Sequence, residues 1–185
     1  MKKETWTELV MPVVVLMVIC LITSALLAGT NSVTAPIISA NEEAAANAAY
    51  AAALPEAEGQ FEDVLDQVTV AGVTAAKKAT NGAGYCLQAV GKGYGGDVPV
   101  ILALDPEGNV LACTFMQNSE SAGFGMKLWD GSADGLAFAE SIVGKSGSVA
   151  LKQDGVDGLA GATISSKAAV DAVNACLAGF AELNG

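Results

Sequence analysis

The sequence contains no histidine and no arginine, and these two absences exclude several kinds of function. All nine of its basic residues are lysines. Without histidine, the chain cannot form Ser-His-Asp or Cys-His catalytic machinery, and it lacks the commonest zinc ligand. Without arginine, it has no guanidinium fork for phosphate or carboxylate groups. Because its net charge is -11, it would also repel a nucleic-acid backbone, so we expect no nucleic-acid partner.

Cysteine is scarce, and its spacing is not that of a metal site. The four cysteines are Cys20, Cys86, Cys113 and Cys176, and no C-x-x-C pair occurs among them. Iron–sulfur clusters and structural zinc sites need such close pairs, so we expect no metal site. We interpret the last three cysteines as small buried hydrophobic residues. Their odd number leaves open one optional disulfide or reducing surroundings.

The apolar residues are unevenly distributed, because no charged residue lies between Leu9 and Asn41. The run from Leu9 to Gly29 supplies the roughly 20 apolar residues that a helix needs to cross a bilayer. A buried core helix and a cleaved signal peptide are the alternatives. The run is longer than the apolar part of a signal peptide, and no A-x-A-like cleavage site follows it. We therefore predict one uncleaved helix across the cytoplasmic membrane over residues 9–30.

Lysines before this helix predict its orientation. Lys2 and Lys3 precede it, and the positive-inside rule gives little weight to the acidic Glu4 and Glu8 beside them. We expect residues 1–8 to be a short inner N-terminus, and the region after the helix to lie on the extracytoplasmic face. Since the first 41 residues carry no net charge, this outer region carries the whole -11.

The outer region reads as a helical stalk followed by an α+β domain. Alanine-rich sequence predicts a helical stalk over residues 31–55, because the residue before Pro55 avoids the helical conformation. We assign residues 56–185 to one domain. It contains five candidate strands and a final helix: 68–73, 85–90, 98–104, 110–116 and 149–152, then 166–183. The strands 98–104 and 110–116 flank a turn with proline and glycine, which is typical of a hairpin. The predicted fold class is thus α+β: an antiparallel sheet packed by helices, preceded by one N-terminal transmembrane helix.

The segment from Asp157 to Ser166 is the most informative part of the sequence. It is a glycine-containing turn that runs into a predicted helix, and helix N-termini bind phosphate and other anions through free N–H groups. The hydroxyls of Thr163, Ser165 or Ser166 could instead simply cap that helix. The residues alone leave both interpretations open.

Residues Gly161 to Ser165 resemble the S/T-G-A-T-x-S/T motif of the FMN-binding domain family. In that family, flavin mononucleotide is joined through its phosphate to the motif threonine. The resemblance implies one covalent FMN per chain at Thr163, attached by a flavin-attaching transferase. Ala160 stands where the family usually has serine or threonine, which removes one hydroxyl from the motif.

Two further segments resemble this family in order and spacing. Residues 93–96 resemble its G-Y-G-G run, and residues 120–125 resemble its E-T-P-G-L-G loop. The resemblance implies no catalytic side chain, because the flavin carries the redox chemistry. It implies that the cofactor-binding residues are Gly95, Gly96, Glu120, Ser121, Gly123, Gly125, Gly161, Ala162, Ile164 and Ser165. The aromatic residues Tyr94, Phe124 and Trp129 are candidates for packing near the flavin ring.

A single membrane helix before a flavin domain of this length resembles the G subunits of Rnf electron-transport complexes. Those complexes are membrane oxidoreductases that link ferredoxin and NAD to Na⁺ or H⁺ translocation. The resemblance implies an electron-transfer subunit that works with the other Rnf subunits and completes no reaction alone. The alternatives are a C-type subunit of the Na⁺-translocating NADH:quinone oxidoreductase, whose outer region is usually longer, and a membrane-anchored flavin sensor or regulator. A cofactor-free adhesion or assembly module is a third.

Overall fold

The computed structural model describes residues 10–153 and 155–185, which form two compact units with their boundary between Ala46 and Asn47. The predicted inner N-terminus, residues 1–8, lies outside the described residues. Helix α1 spans Met11–Ala53, so the predicted membrane helix and stalk form one continuous helix. The compact unit that follows begins at Asn47, and it therefore includes the end of α1.

Within the first unit, α1 exposes large apolar side chains along its length. Leu16, Leu21, Leu26 and Leu27 are 62%, 65%, 67% and 73% exposed. A helix that is apolar all round is typical of a membrane span, and α1 is long and apolar enough to cross a bilayer. It is therefore a candidate membrane span, as the sequence predicts.

Pro36 lies inside α1 without ending it. A proline has no N–H to donate to the carbonyl four residues earlier, here that of Ser32. The hydroxyls nearby bond within the helix: Thr30 donates to the carbonyl of Leu26, and Ser32 donates to that of Gly29. Hydroxyls satisfied in this way are compatible with apolar surroundings, where prolines are tolerated in helices.

The second unit contains a five-stranded antiparallel sheet in which each strand pairs with the next along the chain. The strands are β1 (Phe61–Asp63), β2 (Val73–Ala79), β3 (Tyr85–Lys92), β4 (Asp97–Leu104) and β5 (Val110–Phe115). Two helices follow, α2 (Ala133–Ile142) and α3 (Thr163–Asn184). The predicted α+β class with an antiparallel sheet packed by helices is confirmed.

Two of the candidate strands are wrong, and side chains of α3 explain why. Glu182 accepts hydrogen bonds from the N–H and the hydroxyl of Thr69, at 2.6 and 2.8 Å. Asn174 both accepts from the N–H of Val149 and donates to its carbonyl, at 2.8 and 2.9 Å. These side chains bond backbone groups that a neighbouring strand would otherwise bond. Residues 68–72 and 149–152 are therefore loops and turns rather than strands.

Helix α3 packs across β3 and β4 on one face of the sheet. Leu87 and Leu102, which are paired across the two strands, are fully buried in this core together with Val173 of α3. At Gly91 the helix comes so close that a Cβ there would overlap the carbonyl oxygen of Ala168. This close approach fixes the position of the first half of α3 on the sheet.

The opposite face of the sheet contacts the end of α1. Tyr50 is 3% exposed and donates its hydroxyl to Oε1 of Gln88 at 2.8 Å. The thiol of Cys86, on the same face, points to the carbonyl of Tyr50 at 3.9 Å. Cys86 and Cys176 are buried and Cys113 is half-buried, and none of the four cysteines forms a disulfide. The prediction of buried thiols is thus confirmed for Cys86 and Cys176.

Candidate functional site

A cleft of about 460 Å³ opens at the start of α3. Three separate stretches of chain line it: the turn between β3 and β4, the loop after β5, and the residues that lead into α3. Its lining residues are Tyr94, Glu120, Ser121, Phe124, Gly125, Gly161, Ala162, Thr163, Ile164 and Ser165. The volume lies within the range of roughly 300–1,000 Å³ that is usual for small-molecule and cofactor sites.

The first turn of α3 has no side-chain cap. Ala162 occupies the N-cap position and has no side-chain oxygen to accept a hydrogen bond. Among the described residues, no acceptor bonds the N–H groups of Thr163, Ile164 or Ser165. The interpretation of this motif as a simple cap is therefore wrong, and three backbone donors remain available for an anion.

The three hydroxyls of the motif have different surroundings. Ser166 is fully buried, accepts from the N–H of Leu159 and donates to the carbonyl of Ala162, both at 2.9 Å. Ser165 is buried and donates to Glu120. Thr163, the first residue of the helix, is exposed, and its hydroxyl bonds no other described residue. Thr163 is thus the hydroxyl of this motif that is open to reaction.

Exposed apolar side chains surround the cleft. Tyr94 is 75% exposed, Phe124 is 52% exposed and Ile164 is 54% exposed. Phe124 lies against Gly161, where a Cβ would be 3.1 Å from the phenyl ring, and Gly161 has a φ of 76°. Glycine is therefore required at 161 both by the positive φ and by the ring. Aromatic and aliphatic side chains gathered at one cleft form a surface that a flat, conjugated ligand would cover.

Glu120 is a buried carboxylate without a lysine partner among the described ion pairs. It is 3% exposed, accepts the N–H of Gly95 at 2.9 Å and accepts the hydroxyl of Ser165 at 2.5 Å. Desolvation raises the pKa of Glu120, but hydrogen bonds from Ser165 and from the backbone around Gly95 outweigh it. The pKa therefore lies below the ordinary value of a glutamate, and the carboxylate is ionised at neutral pH.

The structure brings most of the sequence-predicted site residues together. Glu120, Ser121, Gly125 and all of residues 161–165 line the cleft. Gly95 and Gly96 lie behind it, against Ser119, and Gly95 reaches the site through its bond to Glu120. Gly123 lies outside the lining with a φ of 77°, and Trp129 does not line the cleft either. The contact between Glu120 and Ser165 was not predicted, because no sequence pattern links residues 45 positions apart.

Two stretches of the chain match known protein families. Residues 93–178 match the FMN-binding domain, and residues 12–52 match the RnfG N-terminal region. The chain belongs to the RnfG family. It is therefore a flavin-binding, electron-transfer subunit of an Rnf-type complex, whose other subunits are its partners. No curated protein gives a significant match to the chain.

The RnfG match also decides between two of the alternatives. The FMN-binding domain alone fits both an Rnf subunit and a C-type subunit of the Na⁺-translocating NADH:quinone oxidoreductase. The second match covers the greater part of α1, a region that the sequence analysis used only for its length and apolarity. The membrane helix and the domain thus point to the same family.

The residues of the cleft fit FMN. The whole lining, from Tyr94 to Ser165, lies within the matched FMN-binding domain. The three unbonded N–H groups at the start of α3 suit a phosphate, and the exposed rings of Tyr94 and Phe124 suit an aromatic ring system. When bound, FMN supplies reversible electron transfer. The chain itself supplies the orientation and the surroundings of the cofactor.

Proposed function

We propose that this protein carries one FMN per chain, joined by a phosphoester to Oγ1 of Thr163. In this proposal, the protein serves as an electron-transfer subunit of an ion-translocating ferredoxin:NAD oxidoreductase. One observation carries the proposal. The Thr163 hydroxyl is exposed and unbonded to other described residues, and it stands at the cleft as the first residue of an uncapped helix.

Electrostatics favours a covalent link at this site. A free phosphate monoester carries about 1.5 to 2 negative charges at neutral pH, and the chain has a net charge of -11 with no arginine. Esterification to a threonine leaves a diester with a single negative charge. The free N–H groups and the positive end of the α3 dipole, roughly half a charge, can stabilise one such charge. The ester also prevents the flavin from diffusing away.

The attachment reaction balances as a phosphoryl transfer. The donor is a flavin dinucleotide, in which a pyrophosphate activates the flavin phosphate. Oγ1 of Thr163 attacks that phosphorus, a new Oγ1–P bond forms, and the pyrophosphate P–O bond breaks. The second nucleotide leaves as a monophosphate, and the hydroxyl proton passes to solvent or to a base. No oxidation or reduction occurs, and we propose that a separate flavin-attaching transferase catalyses the step.

The residues around Thr163 each perform a physical task once the flavin is attached. The N–H groups of Thr163 to Ser165 hold the phosphate. Phe124, Tyr94 and Ile164 offer apolar surface to the ring and shield it from water on that side. Because these side chains are exposed at the rim, a partner subunit can approach the cofactor there.

The location that we propose follows from the charges that flank α1. With Lys2 and Lys3 inside, α1 crosses the cytoplasmic membrane once and the flavin domain lies on the extracytoplasmic face. Ion translocation, of Na⁺ or H⁺, would then take place in partner subunits. Protease added to intact spheroplasts should digest the domain, whereas digestion only in inverted vesicles would reverse this orientation.

The attachment site is tested with two substitutions that differ by one hydroxyl. We expect Thr163→Val to lose all flavin that survives denaturing electrophoresis, detected by in-gel fluorescence, because it keeps the branched shape but has no oxygen. Thr163→Ser keeps the hydroxyl and is the matched control, which should retain flavin. Mass spectrometry of the peptide around residue 163 should show one added FMN in the native protein. Fluorescence that persists in Thr163→Val would disprove the proposal.

The assignment to a complex has its own test. An electron-transfer subunit should copurify with polytopic membrane redox subunits after mild detergent extraction. A flavin-loaded protein that purifies without them would favour the sensor or regulator alternative.

A further inference from the structure

We propose that Glu120 and Ser165 form a positioning pair, which turns the first turn of α3 so that the Thr163 hydroxyl faces the flavin donor. This inference rests on the proposed function, since it concerns the reaction at Thr163. It assigns Glu120 to orienting the acceptor rather than to contact with the flavin phosphate.

The pair ties three segments of the chain at one point. Glu120 follows β5, Gly95 lies in the turn between β3 and β4, and Ser165 lies in the first turn of α3. One carboxylate oxygen of Glu120 accepts the N–H of Gly95 at 2.9 Å, and the other accepts the hydroxyl of Ser165 at 2.5 Å. Each segment is therefore held relative to the other two through a single side chain.

The space for this carboxylate exists because three neighbouring residues have no side chain. A Cβ on Gly93 would collide with Oε1 of Glu120, and a Cβ on Gly125 would lie 2.5 Å from Oε2. A Cβ on Gly95 would lie 2.5 Å from the carbonyl oxygen of Ser119, directly beside Glu120. The carboxylate is thus enclosed, and its place allows little movement.

Helix geometry converts this tether into an orientation of Thr163. Successive helical residues are turned by about 100° around the axis, so Thr163 points about 200° away from Ser165. Ser165 is 3% exposed and faces the carboxylate, whereas Thr163 is exposed. When the bond to Glu120 holds Ser165 inward, it holds Thr163 outward.

Charge argues against a direct contact between Glu120 and the flavin phosphate. Both oxygens already accept hydrogen bonds from the protein, and like charges repel. The phosphate is better placed on the free N–H groups of the first turn, which Ser165 leaves uncapped because its hydroxyl is directed to Glu120. Glu120 is therefore a positioning residue.

Three substitutions separate the tether from the charge. Ser165→Ala removes the hydroxyl and keeps the charge. Glu120→Ala removes both. Glu120→Gln removes the charge but can keep both links, because its carbonyl can accept from Gly95 while its amide donates to the Ser165 oxygen. Glu182→Ala is the matched control: it removes two hydrogen bonds from the other end of α3, those with Thr69, and leaves the first turn intact.

The measurement is the rate at which full-length protein in detergent acquires covalent flavin. The protein is incubated with a flavin dinucleotide and the transferase, and in-gel fluorescence is followed over the acceptor concentration. We expect kcat to fall by about 10- to 100-fold in Ser165→Ala and Glu120→Ala, as for a displaced reacting group. The KM should change little. Glu120→Gln and Glu182→Ala should stay within about threefold of the native protein, and the double variant Ser165→Ala/Glu120→Ala should be no slower than Glu120→Ala.

The outcomes distinguish this inference from the proposed function. If the native protein acquires no flavin at Thr163, the proposed function fails and the pair has nothing to position. If the native protein is labelled and Ser165→Ala is labelled equally fast, only the positioning pair is disproved. A Glu120→Gln variant as slow as Glu120→Ala would also overturn it, because the charge and not the tether would then matter. Thermal unfolding of each variant shows that a slow rate does not reflect an unfolded domain.

Discussion

Helix α3 crosses β3 so closely at Gly91 that a Cβ on this residue would overlap the carbonyl oxygen of Ala168. The contact lies five residues after Thr163 along α3. The backbone of the helix, and not only its side chains, is therefore fitted to the sheet directly beside the flavin cleft.

We expect Gly91→Ala to destabilise the domain by roughly 1–3 kcal/mol, because the extra methyl group forces α3 away from the sheet. Denaturant unfolding of the purified protein measures this loss. Adding Ala168→Gly should not restore stability, since the collision is with the backbone of residue 168 and not with its side chain. Full recovery in the double variant would contradict the described contact.

Gly161 allows a second, more local prediction. We expect Gly161→Ala to lower the free energy of unfolding by about 1–3 kcal/mol through its positive φ, and to reduce flavin loading further because the methyl group would displace the Phe124 ring. Gly123→Ala is the matched control: its φ of 77° is almost the same, but its Cβ would meet open space. Equal flavin loading in the two variants would show that the Phe124 contact has no effect.

The buried thiols predict a loss of stability in alkali. Burial raises the pKa of Cys86 to about 12, and it also raises the pKa values of Cys113 and Cys176 above their ordinary value. Thiols in the unfolded chain ionise near pH 9, so between pH 9 and 12 the unfolded state releases protons that the folded state retains. Each thiol therefore lowers the free energy of unfolding by about 1.4 kcal/mol per pH unit in this range.

Guanidinium unfolding between pH 8 and 11, under reducing conditions, checks this dependence. Cys86→Ala should be less stable at pH 8, but its stability should fall less steeply above pH 9. Parallel pH profiles for the two proteins would mean that Cys86 ionises normally in the fold.

The end of α1 gives a prediction about the smallest folded fragment. A chain of residues 47–185 should fold as a soluble domain, because it keeps Tyr50 and Leu54, which are 3% and 1% exposed. A chain of residues 56–185 lacks both and uncovers Cys86 on the sheet, so it should be less stable by several kcal/mol or aggregate. Circular dichroism and thermal unfolding compare the two fragments. Equal stability would show that the end of α1 contributes nothing to the domain.

Local chemistry made parts of the fold predictable from the sequence. The hairpin of β4 and β5 follows from its turn, where Asp105 accepts both the N–H and the side-chain amide of Asn109 at 2.8 Å. The periodicity of α3 is equally local, although the helix begins at Thr163, three residues before the predicted start. The site motif was found because its residues are contiguous.

Other features depend on contacts between distant residues or on the surroundings. The stretches at Thr69 and Val149 have strand-like composition, but Glu182 and Asn174 of α3 take up their backbone groups. Pro36 would end a helix in water, yet α1 continues through it. The link between Glu120 and Ser165 joins two loops whose sequences give no sign of each other. In each case the deciding partner lies outside any local window of sequence.

The order of the elements along the chain has a consequence for biogenesis. All five strands precede α3, so the sheet face formed by Leu87, Val100 and Leu102 stays bare until ribosomes have made residues 163–184 and that helix has docked. A nascent domain with this face uncovered is prone to aggregate and would need a chaperone. The cleft cannot exist before docking, because one of its walls is the start of α3. Flavin loading would therefore come after folding, and a yellow protein would report a correctly finished domain.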